Sequence, residues 1–286
     1  MPELPEVETI RRQLAPHLTG AEIVDAGSHW SAKFTPAVEA IGDEIVGTRR
    51  RGKYLLFDLR SAEQSNAEQS NAEQSDADDR NRELVVHLGM TGRLAVEHDA
   101  DLDHPHLRAW WRLDDERVLT FHDARRFGRV HVVDRGEHAG IPTLAALGPE
   151  PFDDAFNGKE LAAFVKRSNR HLKTLLLGQR AVAGVGNIYA DEALWMAGIN
   201  PATRRLSRPR ADRLVETIRT ALQSGLDHGG TTLRDYVDSA GEQGANQHEL
   251  HCYGRSGEPC ERCGTVLRRR ELDARTTTWC PQCQAR

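Results

Sequence analysis

Pro2 and Glu3, the first residues after the initiator methionine, are of types that can carry covalent chemistry. Removal of Met1, which is usual before a small residue, would expose the secondary α-amine of Pro2, and such amines have a reference pKa of about 7.7–8.0. An unprotonated amine of this kind attacks an aldehyde-level carbon and forms a cationic iminium. Glu3 and Glu6 could each act as a general acid or base beside it. A helix that starts with proline and carries acids in its first turn explains these residues equally well.

Four of the five cysteines form a metal-binding pattern. Cys260-x2-Cys263 and Cys280-x2-Cys283 are separated by sixteen residues, a spacing that lets two turns offer four thiolates to one tetrahedral Zn²⁺. Because protein ligands fill all four positions, the pattern predicts one structural zinc ion, which would supply folding energy that this short tail lacks. A redox pair of cysteines is the alternative. Cys252 is left over and is predicted to be a buried or half-exposed thiol rather than a ligand.

The tail that contains these cysteines is basic. From Arg255 to Arg286 it holds seven arginines and four acids. Arg268–Arg270 and Arg275 fall between the cysteine pairs, where a zinc-bound β-hairpin would have its strands and its tip. Arginines on a small rigid hairpin suit contact with phosphate, although a solvated charged face is an alternative explanation.

The net charge of the whole chain comes from one segment. The 286 residues include 38 basic and 43 acidic side chains, and Ser61–Glu83 alone carries seven acids and two bases. The other residues are therefore balanced, so the acidity does not exclude a nucleic-acid partner. This segment repeats AEQSN, AEQSN and AEQSD in tandem, which predicts a disordered surface loop because the polar unit cannot bury a face.

The distribution of apolar and basic residues argues against a membrane-spanning protein and against an exported one. No run of about 18 apolar residues exists, so no membrane span is expected. The N-terminal residues lack the basic and apolar pattern of a signal peptide, so we expect a cytoplasmic protein. The length predicts one large or two ordinary domains.

The first half of the chain is predicted to be mostly β-structure. A short helix is expected from about Pro5 to Leu18, and Asp114–Glu116 is expected to form a hairpin turn. Many short strands separated by turns favour a β-sandwich. The strand candidates are Glu22–Ser28, Glu44–Arg51, Tyr54–Leu59, Leu84–Leu88, Arg93–Glu97, Ala109–Leu113, Val118–His122 and Arg129–Asp134.

Helical patterns follow a proline-rich joint at Gly148–Pro151. Asn157 is a candidate N-cap, and Gly229-Gly230 is a candidate stop signal. The predicted helices run from Asn157 to about Val165, over Leu172–Leu177, from Asn187 through Ala197, from Ala211 to His228 and over Leu233–Ser239.

Seven motifs and the zinc pattern occur in an order that closely resembles the bacterial formamidopyrimidine-DNA glycosylases, bifunctional enzymes of base-excision repair. The similarity covers the whole chain except the acidic repeat. The motifs are Met1–Thr9, Arg50–Leu56, His87–Gly92, Asp123–Gly128, Leu147–Pro151, Gly184–Ala190 and Tyr253–Cys260.

The resemblance implies an α+β multidomain fold with DNA in the cleft between the domains. Its expected parts are an N-terminal catalytic β-sandwich over 1–135 with the disordered insert at 61–83, a linker over 136–150, a helix–two-turns–helix domain over 151–245 and a zinc finger with a β-hairpin over 250–286. The implied function is excision of oxidised purines from duplex DNA, followed by lyase cleavage at the abasic site.

The resemblance also implies roles for four catalytic residues. Pro2 would attack C1′ of the damaged nucleotide, and Glu3 would protonate the ring oxygen of the sugar. Lys53 would transfer protons and contact the damage or a phosphate, and Arg275 would contact phosphate and assist the second elimination. Taken alone, Lys53 and Arg275 could equally be solvated surface residues.

Further residues are implied to bind DNA. Met90, Arg125 and Phe127 would fill the space that the everted base leaves, although Met90 and Phe127 could also be core residues of hairpins. Asn187 follows a glycine-rich turn and opens a helix whose N-terminus favours an anion. The remaining implied contacts are His104, Glu6 and Asn169.

The chain departs from the family pattern at two places. Asn169 stands where the family usually has a basic residue, so one phosphate contact is expected to be lost or moved. The stretch Gly241–His248, which matches a loop over the everted base, lacks the aromatic residue often found there, so base preference stays open.

The expected partner is duplex DNA that contains oxidised or abasic sites, bound by a monomer, with no membrane. Rival hypotheses are an enzyme of the same fold that prefers oxidised pyrimidines, a catalytically silent damage-binding protein and a generic zinc-ribbon binding module.

Overall fold

The computed structural model describes residues 2–29, 31–61 and 81–285. They form two compact units that are built from discontinuous parts of the chain. The first comprises Met1–Pro2, Glu6–Ala145 and Thr232–Gly244, and the second comprises Glu3–Pro5, Ala146–Thr231 and Ala245–Arg286.

The first unit contains the β-sandwich that the sequence predicts. One antiparallel sheet has the strand order β1-β6-β7-β5 and the other has β2-β3-β4-β8. Both sheets contribute to a single apolar core, for example through Phe57 and Trp111, which are fully buried. The strands are β1 (Ile23–Ser28), β2 (Asp43–Arg51), β3 (Tyr54–Ser61), β4 (Arg82–His87), β5 (Gly92–Glu97), β6 (Leu107–Leu113), β7 (Val118–Asp123) and β8 (Arg129–Asp134).

Helix α1 (Leu4–Leu18) begins directly after Pro2 and Glu3. Its apolar side chains Val7, Ile10 and Leu14 recur at helical spacing and are buried in the core of the sandwich, which gives the helix one packed face. Burial of this face fixes the position of the N-terminal residues that precede it. A 3₁₀ turn over Thr35–Ala40 and the short helix α2 (Pro142–Ala145) complete the first unit.

The second unit is helical and ends in a β-hairpin. Asn157 caps α3, because its side-chain oxygen accepts hydrogen bonds from the amides of Lys159 and Glu160, as the sequence predicts. The elements are α3 (Gly158–Lys166), α4 (Leu172–Leu177), α5 (Asn187–Met196), α6 (Arg208–Asp227), a 3₁₀ turn at Asn246–His248, β9 (Arg268–Leu272) and β10 (Arg275–Trp279).

The helix predicted over Leu233–Ser239 is wrong, because the segment has no regular secondary structure. The carboxylate of Asp238 accepts hydrogen bonds from the amides of Ala240 and Glu242, and Thr232 Oγ1 accepts one from the amide of Gly244. Side chains that bind nearby backbone amides compete with helix formation. This segment belongs to the first unit, so the helical unit is interrupted between Thr231 and Ala245.

The predicted insert at 61–83 is too long at both ends. Ser61 ends β3, and Arg82 and Glu83 begin β4. Glu83 pairs with Asp58 of β3 and with Val133 of β8 in the sheet, and its buried carboxylate contacts Arg49 at 2.6 Å and His138 at 2.8 Å. The repeat itself, at 62–76, lies outside the described residues.

Two other predicted boundaries differ from the structure. The predicted linker 136–150 contains α2 and is divided between the units after Ala145, and the cysteine-rich tail is part of the second unit. No helix among the described residues is long and apolar enough to cross a membrane.

Candidate active site and zinc centre

The carboxylate of Glu3 is bound by backbone amides at the N-terminus of α5. Its oxygens accept hydrogen bonds from the amides of Gly186 at 2.7 Å, Ile188 at 3.0 Å and Tyr189 at 3.5 Å. Only 2 % of Glu3 is exposed. The N-terminus of a helix stabilises an anion because its first amides lack partners within the helix. The anion expected at this helix is therefore, in the structure, the carboxylate of a predicted catalytic residue.

Gly186 allows this close approach because it has no side chain. A Cβ atom at this position would lie 2.3–2.6 Å from the carboxylate atoms of Glu3. The backbone of Gly186 is extended, with φ −123°, so the requirement for glycine is steric and not conformational. Asn187 follows it as the first residue of α5, and its side-chain Nδ2 donates a hydrogen bond to the hydroxyl of Tyr253 at 3.4 Å.

Pro2 and Lys53 both belong to the first unit and are buried. Lys53 lies with Gly52 in the tight turn between the paired residues Arg51 and Tyr54. Gly52 has φ +56°, a conformation that a turn of this kind requires and that glycine adopts without strain.

An ion pair joins the base of this turn to α1. Glu8 lies 3.4 Å from Arg50, which in turn donates a hydrogen bond to the carbonyl of Gly52 at 3.0 Å. Glu8 also binds Arg11 and Arg12 of its own helix. This arrangement connects the turn of Lys53 with the helix that follows Pro2.

His87, at the end of β4, is a neutral histidine beside Lys53. Burial, together with the positive charges of Lys53 and Arg129, lowers its pKa to about 4. Its Nδ1 atom accepts a hydrogen bond from the amide of Gly89 at 3.1 Å, and its ring packs against Tyr54 with the centroids 4.7 Å apart. The neutral ring thereby shapes the turn that carries Met90.

This histidine predicts a pH dependence of folding. Its folded pKa is below the unfolded value of about 6.5, so the stabilisation is complete above pH 6.5 and is lost as the pH falls towards 4. We expect the free energy of unfolding of the wild-type protein to fall by up to about 3 kcal/mol more than that of His87→Gln over this interval. Urea titrations at pH 7, 5.5 and 4.5 measure the difference. Parallel curves for both proteins would contradict this assignment.

The three predicted base-stack residues lie on two neighbouring loops that Asp123 holds together. The buried carboxylate of Asp123 accepts hydrogen bonds from Thr91 Oγ1 at 2.6 Å, from the amide of Gly128 at 2.7 Å and from the amide of Arg125 at 3.2 Å. Thr91 follows Met90 in the β4–β5 turn, whereas Arg125 and Phe127 lie in the β7–β8 loop.

The side chains on these loops are open to solvent. Phe127 is 49 % exposed, and the guanidinium of Arg125 lies 4.9 Å from the centre of its ring. The cation–π contact between the two side chains is favourable and holds the ring beside the guanidinium at the surface. The alternative that Phe127 is a core residue is therefore wrong, and Met90 is half-buried.

The other predicted DNA contacts are distributed over both units. His104 is half-buried and packs against His122 and His106, with ring centroids 4.8 and 5.6 Å apart. Burial and the neighbouring charge of His104 lower the pKa of His122 to about 4. Asn169 is exposed between α3 and α4, and Glu6 is buried in the first turn of α1. Glu6 therefore lies in the helix that begins two residues after Pro2.

The four predicted zinc ligands converge. The Sγ atoms of Cys260, Cys263, Cys280 and Cys283 all lie within 4.8 Å of one another. Two of these separations are 4.0 Å and 3.5 Å, close to the ~3.8 Å edge of a tetrahedron of sulfurs around zinc. Trp195 Nε1 donates a hydrogen bond to Cys260 Sγ at 3.4 Å, as expected for a thiolate ligand. The site fits one structural zinc ion.

Cys252 lies outside this cluster, as predicted. It is fully buried, and burial raises the pKa of its thiol. Its Sγ atom donates a hydrogen bond to the carbonyl of Thr278, so it remains a neutral packing residue beside the zinc centre.

A buried ion pair attaches the zinc hairpin to the helices. Lys173 of α4 and Asp191 of α5 lie 2.7 Å apart, and each is 1 % exposed. Lys173 donates a hydrogen bond to the carbonyl of Thr276 at 2.8 Å, and Asp191 accepts one from the amide of Thr278 at 3.0 Å. Burial raises the pKa of the Asp191 carboxyl, although the ammonium of Lys173 opposes this. The pair thus fixes the strand that begins with Arg275.

Arg275 is exposed next to the tip of the hairpin. The tip residues Asp273 and Ala274 have φ +48° and +60°, a conformation that residues other than glycine adopt at a cost of order 1 kcal/mol. The side chain of Asp273 accepts a hydrogen bond from the hydroxyl of Thr174. This contact holds the tip, and therefore Arg275, against α4.

Three acids with a structural role in the site were not singled out in the sequence. Asp123 and Asp191 are described above, and Glu192 accepts hydrogen bonds from the amides of Cys252 at 2.8 Å and Tyr253 at 2.7 Å. In the sequence, Asp191 and Glu192 stand out only as two adjacent acids in the otherwise apolar helix α5.

Comparison with known families supports this architecture. Three family models match successive parts of the chain: the formamidopyrimidine-DNA glycosylase N-terminal domain at residues 1–130, its H2TH domain at 147–237 and the zinc finger found in FPG and IleRS at 257–286. Together they define a DNA glycosylase that combines a sandwich, a helix–two-turns–helix element and a zinc finger.

Curated relatives match over almost the full length. The formamidopyrimidine-DNA glycosylase of Deinococcus radiodurans is 42 % identical over 99 % of this chain and 97 % of its own, and that of Thermus thermophilus is 42 % identical over 99 % and 98 %. The chain belongs to the formamidopyrimidine-DNA glycosylase family.

Solved structures of relatives have the same fold. The crystal structure of the MutM (FPG) protein from Thermus thermophilus gives a TM-score of 0.85 at 41 % identity, covering 99 % of this chain and 98 % of the other. Lactococcus lactis formamidopyrimidine DNA glycosylase, non-covalently bound to DNA with an abasic site, gives 0.81 at 30 % identity and covers 99 % and 100 %.

Proposed function

We propose that the chain excises oxidised purines, including 8-oxoguanine and formamidopyrimidines, from duplex DNA and then cleaves the strand at the abasic site. The observation that carries this proposal is the buried carboxylate of Glu3, held by the amides of Gly186 and Ile188 directly after Pro2. A fixed carboxyl next to an N-terminal secondary amine suits attack on a sugar carbon.

The chemistry assigned to these residues has two stages. The α-amine of Pro2 attacks C1′, the bond from C1′ to the base breaks, and the base takes the bonding electrons and a proton. Glu3 protonates the ring oxygen of the sugar, so that the ring opens and an iminium joins Pro2 to C1′. The iminium acidifies the C2′ proton, and successive β- and δ-elimination release the two phosphates.

Lys53 and Arg275 support these stages. Lys53 transfers protons near the sugar, consistent with its position in the turn that the Glu8–Arg50 pair joins to α1. Arg275 binds a phosphate that flanks the lesion and assists its departure in the second elimination, since guanidinium groups bind phosphate oxygens in a bidentate manner.

The β4–β5 turn and the β7–β8 loop, which Asp123 holds together, are assigned to the DNA base stack. Met90, Arg125 and Phe127 enter the space left by the everted base, and the exposure of Phe127 and Arg125 supports this role. His104, Asn187, Asn169 and Glu6 are assigned to contacts with the DNA. We also propose that the protein acts as a cytoplasmic monomer.

Complexes of the relatives support the choice of substrate. Mutant Lactococcus lactis FPG has been solved with Fapy-dG DNA at 31 % identity to this chain, and MutM has been solved with DNA that contains carbocyclic 8-oxo-G at 31 % identity. The rival function is removal of oxidised pyrimidines by the same fold.

Borohydride trapping tests the reaction and its substrate. We expect a covalent protein–DNA adduct to form faster on duplexes with 8-oxoguanine or a formamidopyrimidine than on duplexes with an oxidised pyrimidine. No adduct with any lesion would refute the glycosylase and lyase mechanism, and faster trapping on the pyrimidine would favour the rival. An adduct that forms at the wild-type rate in Pro2→Gly would refute the assignment of the nucleophile.

A further inference from the structure

A second basic surface lies on the helical unit, where the end of α3 meets the start of α6. A cavity of about 610 Å³ at this place is lined by Lys166, Arg205 and Arg210 together with Ser207, Leu206 and two alanines of α3. We call these three cations and the arginines around them, Arg167, Arg170, Arg204, Arg208 and Arg213, the α3–α6 basic surface.

The charge of this surface contrasts with that of the chain. Residues 166–170 and 204–213 hold eight basic side chains and one acid, Asp212, whereas the whole chain has a net charge of −5. Asp212 pairs with Arg208 at 2.8 Å. In the described part of the chain, Lys166, Arg205 and Arg210 form no hydrogen bond or ion pair through their side chains. Three cations without counter-charges at one cavity repel one another, and an anionic partner would relieve that repulsion.

Hydrogen bonds connect this surface with the zinc hairpin. The guanidinium of Arg204 lies 3.2 Å from Nε2 of His171, and Nδ1 of His171 lies 3.4 Å from the carboxylate of Asp273. Nε2 of His171 is placed to accept a hydrogen bond from Arg204, and Nδ1 is placed to donate one to Asp273. Asp273 is at the hairpin tip, two residues before Arg275. The basic surface is therefore continuous with the element that the proposed function places on a DNA phosphate.

We propose that the α3–α6 basic surface binds the phosphate backbone of duplex DNA as an additional contact region beyond the residues assigned to the lesion. The proposal rests on the proposed function, because continuity with the hairpin is the reason to choose DNA over another polyanion. Exposed lysine and arginine side chains that neutralise phosphates add affinity without sequence preference and release counterions. Asn169 stands where the family usually has a basic residue. The α3–α6 basic surface supplies cations close to that position.

The salt dependence of binding to undamaged duplex DNA tests the proposal. Each lost phosphate contact reduces the slope of log K against log salt by about 0.9 in magnitude. We expect the triple variant Lys166→Gln, Arg205→Gln, Arg210→Gln to lose about 2–3 units of slope and to bind more weakly at low salt, measured by fluorescence anisotropy. Its trapping rate on an 8-oxoguanine duplex at saturating enzyme is expected to equal that of the wild type.

Lys159 provides a matched control because it is also an exposed lysine of α3 but does not line the cavity. We expect Lys166→Gln to reduce the slope and Lys159→Gln to leave it unchanged. An unchanged slope in the triple variant, or equal effects of both lysine variants, would overturn the proposal. Loss of polyglutamate binding with an intact DNA slope would assign the surface to an acidic protein and also overturn it. Failure of the proposed function would appear instead as absence of adduct in the wild-type protein.

Discussion

Gly186→Ala is expected to reduce the rate of base excision by about 10²–10⁴-fold, which is the usual contribution of a general acid or base. The added methyl group would lie within 2.6 Å of the Glu3 carboxylate, so the carboxylate must move off the amides of Gly186 and Ile188. Glu3 would then no longer be held beside Pro2 in the position that the proposed protonation of the sugar requires. Single-turnover excision of 8-oxoguanine measures the loss.

Gly178→Ala is the matched control for this substitution. Gly178 also lies in the second unit and also has a negative φ, −69°, but a Cβ atom there meets only carbonyl oxygens at 3.3 and 3.5 Å. We expect this variant to retain activity close to that of the wild type. Thermal unfolding should show that both variants are folded at the assay temperature, and their affinities for undamaged DNA should be similar, which separates displacement of Glu3 from loss of folding. Equal activity of the two variants would show that the amides do not position a catalytic carboxylate.

Local patterns in the sequence predict most of the elements that carry the site. Strands β2 to β8 and helix α4 fall close to their predicted bounds because alternation of apolar residues and intervening turns are local signals. The N-cap at Asn157 is predictable for the same reason, because it depends on one residue type next to the start of its helix. The zinc cluster is equally local, since each pair of cysteines lies in one turn and only the meeting of the two turns depends on the fold.

Contacts between distant parts of the chain could not be predicted in this way. Glu3 meets Gly186 across 183 residues, and no pattern near either residue specifies that contact. Asp123 joins two loops through hydrogen bonds to Thr91 and Gly128, and its sequence motif shows only that it starts a loop. The segment after Thr231 has helical spacing, but the hydrogen bonds of Asp238 and Thr232 to nearby amides determine its conformation.

Removal of zinc is expected to abolish specific DNA binding and strand cleavage. A two-stranded hairpin such as β9–β10 is marginally stable by itself, whereas binding of a structural zinc ion contributes roughly 10–16 kcal/mol to the folding of small zinc domains. The apolar cluster beneath the hairpin is small and consists of Trp195, Leu267 and three of the cysteines. Without the zinc ion, Arg275 would lose its fixed position. Anisotropy with an abasic-site duplex before and after chelation measures the effect.

The five cysteines supply a test that separates the metal from general destabilisation. Cys280→Ser removes a ligand directly after β10, whereas Cys252→Ser alters a thiol that is buried beside the same strand but lies outside the cluster. We expect Cys280→Ser to lose zinc and DNA binding, and Cys252→Ser to retain one zinc ion and its affinity, because serine can keep the hydrogen bond to Thr278. Added zinc should restore binding to the chelated wild-type protein. Unchanged affinity after chelation would mean that the Lys173–Asp191 pair holds Arg275 in place without the metal.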